Sequence, residues 1–350
     1  MNKIPVSKPD ISSLEKAYAV QAINSGWISS NGPFVQKFEQ AWADYNKMDC
    51  GVACNSGTNA LYLAFKALGL KAGDEVIVPE FTMVATAWAV TYTGATPVFV
   101  DCGNDLLINP RLIEAKITHR TKAICPVHIY GRRCNMDVIM ALAKKYGLKV
   151  VEDSAEAHGI RPVGDVACYS FFGNKIVTTG EGGMCLTNDD KLAHHIRLLA
   201  NMWFDPGHTF LHPGIGHNHR MTNVQAAIGL GQVERIHEIL VKRRLIERWY
   251  DEVLTIGTYI APREVLWMYD INLGIHRDRV RAELTEIGVD TRLFFKPMSM
   301  QPMYHGAYES LLAYKWSRIG LYLPTSSAFE EWEIKLVAHT VKNVLAGVSR

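Results

Sequence analysis

The feature that most restricts how this chain can fold is the regular exchange of short apolar runs and helical spacings that begins near residue 50. Ser56, Gly57 and Thr58 open a stretch with apolar residues at Leu61, Ala64, Phe65 and Leu68, the spacing of one buried helix face. Gly69 and Gly73 end it, and residues 75–79 read as a short buried strand. Residues 82–92 look helical, 97–101 and 123–130 look like strands, 136–146 looks helical, and 148–152 is again strand-like. Such alternation makes βαβ units and an α/β fold whose mostly parallel sheet is covered on both faces. Sheets of this kind bind ligands beyond the C-terminal ends of their strands, and Asp153 falls at one of those ends.

The rest of the chain has a looser rhythm. A turn at 180–183, a strand at 184–187 and a helix at 189–200 lead into a long loop, 201–220, rich in glycine, proline and histidine. Loops of that length in a compact domain usually serve a function. An amphipathic stretch over 223–250 leads into a second unit. It holds a strand-like run at 267–273, a helix over 277–287, the segment 288–297 and a terminal helix from about 330. At 350 residues two domains are expected, a large one over 1–240 and a small C-terminal one over 241–350.

Composition excludes several function classes. A net charge of +2 without a block of like charges offers nothing to nucleic acid or to a membrane surface. No apolar run reaches the roughly 18 residues of a membrane span, and Met1 to Pro9 has no signal-like apolar core. The seven cysteines are scattered, with no C-x-x-C pair or zinc spacing, which suits reduced thiols in a cytoplasmic protein. His212, His217 and His219 lie close together but match no standard metal pattern, so no metal is expected.

Chemistry gathers around Lys175. It sits between an aromatic run from Ser170 to Phe172 and the glycine-rich turn 180–183, a setting suited to a pocket lysine that forms a Schiff base with an aldehyde cofactor. Asp153 alone reads as a strand-ending helix cap; with Lys175 it reads as the carboxylate that keeps a pyridine nitrogen protonated. Ser56, Gly57 and Thr58 at a helix start are an N-cap and also an anion site fit for a phosphate, with Ser170 as a second hydroxyl. Trp88, in an expected helix, is a core residue by default and becomes the stacking candidate once a flat ring is proposed.

Three stretches together resemble the DegT-type nucleotide-sugar aminotransferases: 152–159 (EDSAEAHG), 170–183 around Lys175, and 216–227 (GHNHRMTNVQAA). The opening at 26–33 is similar as well, so the resemblance runs from about residue 5 to the C-terminal helix. It implies the aspartate aminotransferase fold (PLP-dependent transferase type I), with a large domain built on a mostly parallel mixed sheet and a smaller C-terminal α+β domain. It also implies pyridoxal phosphate as cofactor and a homodimer with shared active sites. Lys175 would carry the cofactor, Asp153 pair with its ring nitrogen, Trp88 stack on the ring, and Gly57, Thr58 and Ser170 hold the phosphate. Asn218 would reach the other subunit's phosphate, and Glu156 and His158 would line the pocket. The stretch 288–298 is most similar to the branch that aminates C4 of a GDP-linked 4-keto-6-deoxymannose, giving GDP-perosamine, with L-glutamate as donor. Against that branch the chain is shorter between Gly159 and Gly164 and between Tyr250 and Trp267, and carries Ser299 where a histidine is expected. Alternatives are the same chemistry on a UDP- or dTDP-linked 3- or 4-keto sugar, a dehydratase (whose relatives carry histidine at the position of Lys175), and a cofactor-binding regulatory protein without turnover.

Overall fold

A computed structural model describes residues 3–204, 207, 210–254, 258–306 and 311–347. Residues 205, 206, 208 and 209 of the expected long loop, and 255–257 of the shortened stretch before Trp267, lie outside them. The main sheet has seven strands: β1 (Cys50–Cys54), β2 (Glu75–Pro79), β3 (Thr96–Val100), β4 (Thr121–Ile124), β5 (Lys149–Asp153), β6 (Val166–Ser170) and β7 (Gly183–Thr187). Their order is β1-β7-β6-β5-β4-β2-β3. Pairings from β6 through β3 are parallel, while β7 runs antiparallel to both β6 and β1. Two antiparallel steps in succession turn β1 back into the direction of β6. The C-terminal ends of β1, β2, β4, β5 and β6 therefore open at one edge of the sheet, and the site forms there.

The strands are short and buried on both faces, as apolar runs such as Val76-Ile77-Val78 require. Helices cover them. Gly57–Ala67 starts at the N-cap Ser56, whose hydroxyl accepts the Asn59 N–H (3.2 Å), and Met136–Tyr146 ends on Gly147 in the left-handed region (φ +66°). The expected strand over 123–130 stops at Ile124; the chain then turns, and Tyr130 itself is left-handed (φ +51°, ψ 31°). Two early helices, Ser13–Asn24 and Pro33–Asn46, pack on the helix Asn223–Glu234.

A second sheet, all antiparallel, has the order β8-β10-β9, with β8 (Tyr269–Asn272), β9 (Arg292–Leu293) and β10 (Gly320–Leu323). The amphipathic stretch leading to it is two helices, Asn223–Glu234 and Ile236–Asp251, broken at Arg235. The expected division at 240/241 falls inside the second of these. Its Ile236 and Ile239 join the cores of the large sheet, whereas Ile246 and Tyr250 join that of the small one. The N-terminal thread also joins the small unit: Ile4 exchanges backbone bonds with Gly288 and Asp290, Val6 accepts from Thr325, and Lys8 accepts from Ser326.

Candidate active site

At the shared edge lies a cavity of about 380 Å³, lined by Lys175, Asp153, Glu156, Gly57, Thr58 and Ser170 among others. Six of the eight expected site residues thus meet in one place, though they come from three separate segments.

The floor is built by strand ends. Asp153 closes β5, and its carboxylate accepts from the Thr86 hydroxyl (2.8 Å) and the Ala155 N–H (3.1 Å). Burial pushes its carboxyl up, against the pull of those donors and of Lys175. Thr86 is itself linked to Thr82 (3.1 Å), which lines the cavity. A cation facing this carboxylate would be held in place by its charge. Lys175 follows β6 in a turn closed by its N–H on the Phe172 carbonyl (2.9 Å). Burial lowers its amine from the ordinary lysine range; Glu156, 3.8 Å away, and Asp153 oppose that shift. Glu156 accepts the Tyr130 N–H (2.9 Å), and burial raises its carboxyl to about 7. Lysine and glutamate are each displaced toward the neutral form, which brings their proton affinities closer together.

One end of the cavity suits a small dianion. At the start of the helix Gly57–Ala67 the amides of Gly57 and Thr58 have no acceptor among the described residues. Gly57 is required for close approach: a Cβ there would lie 2.6 Å from the Ser170 Cβ. Gly183 at the start of β7 lies equally tight under the Ser56 carbonyl, with no room for a side chain. Helix dipole, free N–H groups and the Thr58 and Ser170 hydroxyls converge there. Trp267, Phe295 and Tyr322 from the small unit add an aromatic lining.

Two expectations are corrected. Trp88 does not line the cavity. The helix it belongs to runs Val84–Tyr92, and the residues facing the site are Met83 at its N-cap and Ala85. At about 1.5 Å of rise per residue, Trp88 lies one turn too far along the axis. His158 is not a lining residue either; it is buried edge-on against Trp42 (5.1 Å), and its Nδ1 accepts the Val177 N–H (3.1 Å). Burial lowers it to about 3, so it stays neutral. Asn218 is exposed on the long loop, where its Oδ1 accepts from Arg220 (2.9 Å), so the amide presents its NH2 as donor. His217 and His219 flank it, stacked on each other and bonded to Tyr62 and Asn59.

Met83, Trp267, Phe295 and Tyr322 carry no signal in the local sequence. Their register on distant elements brings them in. Ser299, in the expected histidine position, instead donates its N–H (2.8 Å) and its hydroxyl to the buried Glu80. The shortened turn after Gly159 closes by giving the Val163 N–H (2.6 Å) and the Gly164 N–H to Glu152.

Residues 9–342 match the family model described as the DegT/DnrJ/EryC1/StrS aminotransferase family. The chain is 44% identical to a protein named GDP-perosamine synthase from Caulobacter vibrioides, over 98% of each chain. A protein of the same name from Escherichia coli O157:H7 is 40% identical, covering 88% of this chain and 89% of the relative. Among solved structures, the aminotransferase TlmJ from Streptoalloteichus hindustanus superposes with a TM-score of 0.92 at 29% identity. That match covers 99% of this chain and all of the other.

Proposed function

This chain belongs to the DegT/DnrJ/EryC1/StrS aminotransferase family, and we propose that within it the substrate is GDP-4-keto-6-deoxymannose, aminated at C4 to GDP-perosamine with L-glutamate as donor. It is a pyridoxal-phosphate-dependent sugar aminotransferase. The observation that carries the residue roles is that one cavity holds Lys175, Asp153 and the helix start at Gly57 together. These groups fit the cofactor: an amine for its aldehyde, a buried carboxylate for its ring nitrogen, and free amides with two hydroxyls for its phosphate.

When bound, pyridoxal phosphate supplies an electron sink for the bond broken at the amino-bearing carbon. The chain's residues do the rest. Lys175 is the attachment point and, once displaced by the donor, carries the proton to and from the reacting carbon. Burial lowers its basicity, which favours the free amine relative to an exposed lysine. Asp153, steadied by Thr86, keeps the ring nitrogen protonated. Glu156 takes up charge when Lys175 changes protonation state. Met83, half exposed on the cavity wall, takes the ring-packing role first given to Trp88, since a thioether packs well on an aromatic face.

The chain works as a homodimer in the cytoplasm on this reading. Its support is the exposed Asn218 amide, turned outward by Arg220 as a donor for the partner's phosphate end. A domain division at 240/241 accompanies it. Among the described residues no helix is long and apolar enough to cross a membrane. The test is a panel of GDP-, UDP- and dTDP-linked 3- and 4-keto-6-deoxy sugars with glutamate, scored by mass spectrometry. Amine formation confined to the GDP-linked 4-keto sugar is expected. Activity only with UDP- or dTDP-sugars overturns the substrate and keeps the enzyme class, and a cofactor spectrum that glutamate cannot change overturns turnover.

A further inference from the structure

Four residues from four segments close a ring around the Lys175 amine. Trp267, in the chain entering β8, donates its indole N–H to the Asn174 carbonyl (3.0 Å), the peptide oxygen just before Lys175. The same indole offers its face to Lys175 Nζ, 4.3 Å from the ring centroid. It also stacks on Tyr130, with centroids 5.7 Å apart and planes 14° apart. Tyr130 gives its backbone N–H to Glu156, and Glu156 stands 3.8 Å from Lys175 Nζ, closing the circuit. Tyr130 holds a left-handed backbone that a non-glycine residue keeps only when its surroundings impose it.

A lysine has four rotatable side-chain bonds, and burial alone gives it no direction. Glu156 is too distant for a hydrogen bond, so it attracts the amine without aiming it. Trp267 touches the lysine at two points, at the peptide before it and at its tip. We infer that Trp267 is the positioning residue for Lys175: its N–H fixes the peptide and its ring face fixes the amine, so that the small sheet aims the lysine of the large one. The inference rests on Lys175 being the lysine that bears the cofactor. Asp153 and Glu156 also face that amine, His158 feels its charge from the core behind them, and all three remain when the indole is removed.

The test compares Trp267→Phe, which keeps a ring face and loses the N–H, with Trp267→Leu, which loses both. Turnover with the preferred keto-sugar is measured alongside the pH profile of Lys175 labelling. For the labelling, the full chain freed of cofactor is reductively methylated and its peptides are quantified by mass spectrometry. For Trp267→Phe, kcat is expected to fall about tenfold with KM within about twofold and the labelling midpoint unmoved, the loss of one aiming hydrogen bond. For Trp267→Leu, kcat should fall about a hundredfold, and the midpoint should drop by about one pH unit because the ammonium loses its π face. A midpoint unmoved or raised in Trp267→Leu overturns the inference, as does unchanged kcat in Trp267→Phe. If Trp267→Leu fails to fold, the Trp267→Phe result decides. Borohydride fixation of the cofactor checks the premise: an adduct on a lysine other than Lys175 defeats the reading of the site. A Lys175 adduct together with an unmoved midpoint in Trp267→Leu defeats the role of Trp267 alone.

Discussion

Glu152 and Glu156 lie four residues apart, both deeply buried, and their surroundings treat them in opposite ways. Glu152 is saturated: one oxygen accepts from the Val163 and Gly164 amides, the other from His128 Nε2 at 2.7 Å. The Cys134 N–H points at His128 Nδ1, which makes that nitrogen an acceptor and leaves the ring proton on the side of Glu152. Burial would raise the Glu152 carboxyl, yet these donors hold it below its ordinary range. Glu156 accepts one backbone N–H, faces Lys175 across 3.8 Å, and rises to about 7. Buried charge with full hydrogen bonding is framework; buried charge with an unfilled shell can exchange protons.

Four substitutions break or sharpen that contrast. The largest effect belongs to the partner of the unsaturated acid: Lys175→Ala should lower turnover by about four orders of magnitude, followed as 2-oxoglutarate release. Turnover near the wild-type rate would remove Lys175 from the chemistry. Next, Glu152→Gln should cost about 3 kcal/mol in urea unfolding, because an amide NH2 must face either His128 Nε2–H or the two backbone donors. Glu156→Gln keeps the Tyr130 bond, so its stability should respond differently. The native carboxyl titrates near 7 and the unfolded one near 4.5, so stability present below 4.5 is lost as pH rises through 7. The variant lacks that loss and should gain on wild type at pH 8 relative to pH 4.5, while kcat falls about tenfold. An equal stability difference at both pH values would place Glu156 with Glu152. The smallest effect is Trp88→Phe, which should change cofactor affinity by less than about twofold in a fluorescence titration, since Trp88 lies off the cavity.

The same contrast marks what the sequence could reveal. The meeting of Asp153, Glu156, Ser170 and Lys175 in one cavity was legible because each ends a strand or follows closely on one, and strand ends announce themselves through apolar runs. Gly57 and Thr58 were legible as a helix start. The aromatic wall was not: Trp267, Phe295 and Tyr322 arrive from a unit whose docking no local pattern encodes. Trp88 misled because a helix can be expected over 82–92 without its starting residue being fixed, and a shift in that start decides which side chain reaches the cavity. His158 shares a motif with Asp153 and Glu156, yet the turn after β5 sends it into the core behind them.

The thread from Ile4 to Lys8 bears on how the molecule comes into being. Its partners, the backbones of Gly288, Asp290 and Thr325 and the Ser326 hydroxyl, leave a ribosome long after the thread itself. Closing so long a loop must wait until those later residues have been made, and contacts of that separation form slowly. The large sheet can assemble while the chain is still emerging, but the unit that carries Trp267 and Tyr322 cannot be finished until the thread and residues 288–326 are both present. Lys175 is therefore made early and enclosed late, and a chain cut short before residue 288 would expose the cavity without Phe295 and Tyr322.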